Sequence, residues 1–234
     1  MAAEQDRLQV RSPVDGRVLF ERPLSSRTQI DHILNEAMAA KPAWAATPLE
    51  ARIALVAAMV DAFERDGAAI AGELTAQMGR PIRWSPGEIA GFGDRARAML
   101  ALAPSALADI DPGPKEGFRR LIHRAPLGLV LVLAPWNYPY LTAVNAVAPA
   151  LVAGNVVVLK HSGQTPLCAE RMVAAARSAG IPDGVFQFVH MSRDLTAETV
   201  ADRRVDHVAF TGSVEGGHAV VRAASERFIS FGLE

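Results

Sequence analysis

The segment Ala134-Pro135-Trp136-Asn137-Tyr138-Pro139 places a primary amide between two aromatic rings and two prolines, directly after the unbroken apolar run Leu129 to Leu133. Proline stiffens the backbone of such a turn. The Asn137 amide is therefore held in place, and its NH₂ can donate to a developing oxyanion; the plain alternative is an asparagine that closes a local Asx turn. A second apolar run, Val156 to Leu159, ends on Lys160. Its ammonium can meet a ligand oxygen or lie in water beside a strand end. Phe210-Thr211-Gly212-Ser213-Val214-Glu215-Gly216-Gly217 follows a further apolar segment and opens a helical pattern, where free N–H groups and the helix dipole favour a phosphate. It is not the G-x-G-x-x-G spacing, and glycines there also suit an ordinary strand-to-helix turn. Glu234, the final residue, offers either a general-base carboxylate or a terminal charge.

Other reactive residue types read as structural. Cys168 is the only cysteine, which excludes an internal disulfide or a cysteine-rich zinc site. Among Leu167, Ala169, Met172 and Val173 it reads as a small core residue and not a nucleophile. The six histidines show no metal-ligand spacing, and His123, His190 and His207, in or beside strand patterns, read as structural. Trp44 and Trp84 read as packing residues, because no basic groove accompanies them to make a base-stacking platform.

Composition narrows the function classes. With 24 basic and 25 acidic residues the net charge is −1, which gives no general attraction to nucleic acid or to an anionic membrane. Half of the residues are hydrophobic, enough for a packed core. Met1 to Asp6 has no basic leader with an apolar core, and Leu127 to Ala134 is far shorter than the ~20 residues of a membrane span. A cytoplasmic small-molecule protein is expected.

The elements that must position these residues are legible from periodicity. Ile30, Ile33, Leu34, Ala37 and Met38 share one helical face; Thr47-Pro48-Leu49-Glu50 reads as a capping box for a second helix, with Ile53, Val56, Ala57 and Val60 on its stripe and an end near Gly67. These helices are expected to cover a sheet. Gly79-Arg80-Pro81 breaks the chain, and Asp109 to Gly117 is a connector into the extended-looking Phe118 to His123, read as a hairpin. Beyond it, Leu129–Leu133, Val156–Leu159, Val185–Val189, His207–Phe210 and Phe228–Phe231 read as strands. Helices are expected over Tyr140–Leu151, from Thr165-Pro166 to near Gly180, and after Ser213. Alternation of this kind predicts an α/β fold with a doubly wound parallel sheet. Loops from the carboxyl ends of its strands form the ligand crevice, so Asn137 and Lys160 belong to one edge.

The Pro-Trp-Asn-Tyr-Pro string, Lys160 with Gln164-Thr165-Pro166, and Phe-Thr-Gly-Ser at 210–213 together resemble the NAD(P)-dependent aldehyde dehydrogenase superfamily, from about Ser12 through Glu234. The resemblance implies a Rossmann-like fold with N-terminal covering helices over 1–114, an oligomerisation hairpin at 115–127, and an NAD(P)-binding core over 128–234. It makes Asn137 the oxyanion-hole donor and Glu234 the general base that activates water. It assigns Pro135, Trp136, Lys160, Ser162, Gly163, Gly212 and Ser213 to the cofactor. In the intact reaction a cysteine thiolate adds to an aldehyde, hydride passes to nicotinamide, and water releases the carboxylic acid. The family's cysteine follows a Glu-Leu-Gly-Gly string, which here is cut at Glu234. The resemblance therefore implies the cofactor-binding half of a homo-oligomeric enzyme, without its catalytic domain and inactive alone. A stand-alone dinucleotide-binding or regulatory module and an interrupted reading frame are the alternatives. Two positions depart from the family pattern: Gly163 stands where many NAD-preferring members carry glutamate, and Ala146 where many carry lysine. Glycine removes a ribose-binding acceptor and a repulsion against a 2′-phosphate, so NADP is expected to bind at least as tightly as NAD.

Overall fold

The computed structural model of the chain describes residues 7–234. It begins with an antiparallel pair, β1 (Arg7–Arg11) and β2 (Val18–Pro23). Sequence reading gives no signal for this pair, because the strands are largely exposed and Val10 is their only fully buried residue.

Four helices follow: α1 (Arg27–Ala46), α2 (Leu49–Arg65), α3 (Gly67–Met78) and, after a 3₁₀ turn at Ile82–Trp84, α4 (Ser85–Ala106). The capping box lies at the start of α1, between Ser26 and Gln29, and not at Thr47-Pro48-Leu49-Glu50. Thr47 ends α1 instead: its hydroxyl donates to the Ala43 carbonyl at 3.0 Å, and Pro48 precedes α2 without a side-chain cap. Trp84 also departs from expectation. Trp44 is buried and donates its indole N–H to the Leu151 carbonyl at 3.0 Å, whereas Trp84 is 61% exposed, with Arg83 over its ring.

The core is a five-stranded parallel sheet of β3 (Leu129–Ala134), β4 (Val156–His161), β5 (Phe186–Phe188), β6 (His207–Phe210) and β7 (Ser230–Leu233), in the order β5-β4-β3-β6-β7. The crossover helices are α5 (Pro139–Val152), α6 (Leu167–Ser178), α7 (Arg193–Ala201) and α8 (Val214–Ala224). β3 is buried along its whole length and β4 nearly so, as strands covered on both faces must be. Strand order reverses at β3, so right-handed crossovers place α5 and α6 on one face of the sheet and α8 on the other. Of the N-terminal helices only α1 packs directly on the strands; α2, α3 and α4 form a further layer against α5 and α6. Arg52 and Trp44 donate to the Val152 and Leu151 carbonyls and satisfy the C-terminal end of α5.

Residues 107–127 carry no strand ladder. Two isolated antiparallel bridges, Ile110 with Ile122 and Lys115 with Phe118, fold the segment back on itself, and Phe118, Leu121 and Ile122 are exposed.

Candidate active site

Register brings the strand ends level: Leu133 lies beside both Lys160 and Phe210, and Phe210 beside Leu233. The segments carrying Asn137, Lys160, Gly212 and Glu234 therefore leave the same edge of the sheet. They line one cleft of about 610 Å³, together with Pro135, Trp136, Ser162 and Ser213. The cleft straddles the point where the strand order reverses, the place in an open α/β sheet where a crevice must form because adjacent loops diverge to opposite faces. Gly163 is the one candidate outside its lining. It sits behind the wall, where an added Cβ would lie 3.0 Å from a Leu8 methyl of β1.

The Asn137 turn is held from several directions. Its own Oδ1 accepts from the Tyr138 amide at 3.0 Å, a local turn contact that leaves the Nδ2 group as the donor. Arg80 donates to the Asn137 backbone carbonyl at 2.8 Å, lies 4.8 Å from the centre of the Tyr138 ring and pairs with Glu88. Glu88, whose side chain is 1% exposed, accepts in turn from the Tyr140 amide at 2.8 Å. A carboxylate from α4 thus caps the first turn of α5, where orphan amides and the helix dipole favour negative charge.

The neighbouring loop is pinned through His161, which is buried. The Ser162 amide donates to its Nδ1 at 3.0 Å, and the Thr165 hydroxyl lies 3.1 Å from the same nitrogen. With Nδ1 accepting, Nε2 carries the proton and donates to the Pro139 carbonyl at 3.2 Å. Burial pushes the imidazole pKa down to about 4, so the ring is neutral at pH 7. Burial, and then the nearby Arg193 cation, also hold the Lys160 ammonium below the usual lysine range.

On the other side, the Thr211 amide donates to the Leu133 carbonyl, and the Gly212 amide to the Glu234 carbonyl at 2.9 Å. Ser213 caps α8 by accepting from the Gly216 amide at 3.1 Å. The Val214 and Glu215 amides of that first turn have no acceptor within the helix. A Cβ at Gly212 or Gly216 would stand 2.7 or 2.6 Å from Cζ of Phe210. The ring underlies the turn, and glycine lets the backbone rest on it.

Cys168 is not part of this edge. It is fully buried in α6, and burial drives its thiol pKa well above the normal range, which removes nucleophilic character. His123, His190 and His207 contact Asp109, Glu170 and Ser230 respectively and lie outside the cleft lining. Sequence reading missed Arg193 and Thr196, which line the cleft from α7, and the supporting residues Arg80, Glu88 and His161. The Ser192 N-cap ahead of α7 was the available signal for the first pair; long-range pairing such as Arg80 with Asn137 leaves none.

Among the described residues no helix is long and apolar enough to cross a membrane. The chain is 33% identical over 231 residues to the 3,6-anhydro-alpha-L-galactose dehydrogenase of Streptomyces coelicolor, covering 97% of this chain and 46% of that protein. Its fold is similar to the NADP complex of the NADP-dependent glyceraldehyde-3-phosphate dehydrogenase of Bacillus halodurans C-125, with a TM-score of 0.90 at 28% identity over 97% of this chain and 49% of that one. It is similar also to PnpE in complex with nicotinamide adenine dinucleotide, with a TM-score of 0.92 at 28% identity over 97% and 47%. The chain spans about half the length of the relatives it matches. The sequence profile of the aldehyde dehydrogenase family matches residues 1–234, and with the shared fold this makes the chain a member of the aldehyde dehydrogenase family.

Proposed function

We propose that this chain is the cofactor-binding portion of an NAD(P)-dependent aldehyde dehydrogenase, a cytoplasmic homo-oligomer in its intact form. The observation that carries the reading is the convergence of Asn137, Lys160, Ser162, Gly212, Ser213 and Glu234 on one cleft at the reversal of strand order. The site fits a dinucleotide at both ends. The first turn of α8 offers amides to a pyrophosphate over a glycine turn that lets it approach, and Lys160 and Ser162 offer donors to an adenosine ribose at the end of β4. When bound, the cofactor supplies a hydride acceptor.

The chain's own residues then have separate tasks. Asn137 presents Nδ2 to the oxygen of an aldehyde as charge builds on it, a contribution of roughly 3 to 4 kcal/mol for such donors. Glu234 holds a carboxylate at the same edge to take a proton from water. The residues at 115–127, with exposed Phe118, Leu121 and Ile122, furnish the subunit contact.

Calorimetric titration of the purified chain with NAD and NADP tests the reading. Saturable binding of at least one cofactor, weakened in Lys160→Met, is expected; absence of binding by both would sink it. A second reading, a binding module without catalysis, is favoured by the burial of Cys168. Turnover of an aldehyde panel by this chain would exclude that module, and binding without turnover is expected here.

A further inference from the structure

No residue of the β1–β2 hairpin lines the cleft, yet the hairpin touches the supports of two of its walls. Leu8, Val10, Phe20 and Arg22 share one face, because the register pairs Leu8 with Arg22 and Val10 with Phe20. Contacts with separate segments fix where that face lies. Arg22 donates to Glu170 in the first turn of α6, through Nε at 2.8 Å and Nη2 at 3.1 Å. A Leu8 methyl lies 3.0 Å from where a Cβ on Gly163 would stand, so Leu8 rests on the loop that follows Lys160 and Ser162. Beyond β1, Cγ of Pro13 lies 2.9 Å from where a Cβ on Gly79 would stand. Gly79 directly precedes Arg80, the residue that donates to the Asn137 carbonyl. The two supported segments are neighbours: Gln77, just ahead of Gly79, accepts from the Leu167 amide at 3.1 Å.

The hairpin has little else to hold it. Among residues 7–23 only Val10 and Ser12 are buried, and a two-stranded ribbon is marginal by itself. Its docking therefore depends on the segments beneath it, and whatever fixes those segments fixes the hairpin. Gly163 and Gly79 have no side chains, so backbone and not a flexible side chain bears on Leu8 and Pro13. A shift of the hairpin passes to Ser162 on one side and, through Arg80, to the Asn137 turn on the other. We propose that the β1–β2 hairpin is a brace that sets the spacing of these two cleft walls, with Leu8 and Pro13 as positioning residues, and that cofactor binding and hairpin docking stabilise each other. This rests on the reading that the cleft takes a nicotinamide dinucleotide, and deepens it. The coupling is reciprocal: a ligand spanning both walls orders the hairpin by the same free energy that the hairpin contributes to binding.

The test combines binding with amide exchange. NAD, NADP and 5′-AMP are titrated by calorimetry into the wild-type chain, Leu8→Ala, Leu8→Met, Pro13→Ala and Val14→Ala, and exchange over residues 7–23 is followed with and without saturating cofactor. Cofactor should slow exchange in the hairpin by about fivefold or more, the low end of coupling between sites. Leu8→Ala should weaken both dinucleotides and 5′-AMP by about fivefold to tenfold, and Leu8→Met, which refills the volume, should restore most of the loss. Pro13→Ala acts through the Asn137 side, so it should weaken the dinucleotides while 5′-AMP changes less than about twofold. Val14→Ala, at the 79% exposed tip of the hairpin, should change nothing. Affinities are measured well below the melting temperature of each variant, so lowered melting with unchanged affinity counts against the brace. Unchanged affinities in Leu8→Ala and Pro13→Ala, or hairpin exchange indifferent to saturating cofactor, would overturn it while leaving the dinucleotide reading standing. Failure of the wild type to bind either dinucleotide would overturn both. The exchange comparison needs only the wild type, so it decides even where a variant does not fold.

Discussion

Arg80 donates to the backbone carbonyl of Asn137 at 2.8 Å from a position 57 residues earlier, so the turn that presents the amide donor is fixed by a side chain from the end of another layer. The same guanidinium is paired with Glu88, and their side chains are 12% and 1% exposed. Arg80→Ala leaves a buried carboxylate without its counter-charge, and the expected cost is about 3 to 5 kcal/mol. Urea unfolding measures it. A loss below about 1 kcal/mol, typical of exposed pairs, would show that water reaches Glu88 in solution.

His161 makes stability depend on pH with a definite sign. Its pKa falls from 6.5 to about 4 on folding, so the unfolded chain binds the proton more readily. The stabilisation is fully present above pH 6.5 and is lost as pH falls toward 4, amounting to about 3 kcal/mol. Unfolding free energies at pH 7.5, 5.5 and 4.5 should trace this decline, with a contribution of the same sign from His207, whose pKa burial also lowers. His161→Gln should flatten the curve. A variant with the wild-type slope would place the titration elsewhere.

The sole thiol is expected to be inert. Cys168 is buried beside the Tyr140 hydroxyl, and burial raises the pKa of both groups. Iodoacetamide or a disulfide reagent should label the native chain only as fast as it opens, and label the urea-unfolded chain at once. Cys168→Ser should leave the outcome of an aldehyde-turnover assay unchanged. Rapid labelling of the folded chain, or turnover abolished by this substitution, would reverse the assignment of Cys168 to the core.

Gly163→Glu is expected to move preference toward NAD by roughly 1 to 3 kcal/mol, the combined value of a charge-assisted hydrogen bond to the ribose hydroxyls and of repulsion against a 2′-phosphate. The structure adds a condition: the new Cβ meets a Leu8 methyl at 3.0 Å, so β1 or Leu8 must shift slightly. Gly163→Ala carries that displacement without the charge. The ratio of NADP to NAD affinities should change in the glutamate variant and not in the alanine variant; equal changes in both would assign the effect to packing.

The core of the fold was legible because both-sides-buried strands leave a plain record: Leu129–Leu133 and Val156–Leu159 are apolar without interruption, and the observed strands extend them by one and two residues. Gly154, at a φ of 91° after α5, is the turn glycine the pattern required. Elements held by exposed or distant contacts left weaker traces. β1 and β2 bury little, and α7 shows no strong apolar stripe, with only Thr199 and Val200 buried. The Thr47 box misled because the same hydroxyl can serve the helix behind it as well as the one ahead, and local sequence does not decide between them. The candidate site was legible where a string of residues carried it, at Asn137 and Gly212. It was illegible where tertiary pairing did, as with Glu88 capping a helix 52 residues away.

The central pairing of β3 with β6 joins Val130 to His207 across two intervening strands and three helices, whereas β3, β4 and β5 are linked by successive crossovers. Contacts between remote stretches form late, because loop closure must precede them. The sheet thus joins a wound half, β3-β4-β5, to a two-stranded half, β6-β7, along one line, and the cleft opens on that line. A molecule gripping the Asn137 turn on one side and the α8 turn on the other ties the two halves together. Its occupancy should slow amide exchange in β6 and in β7, the exposed edge strand.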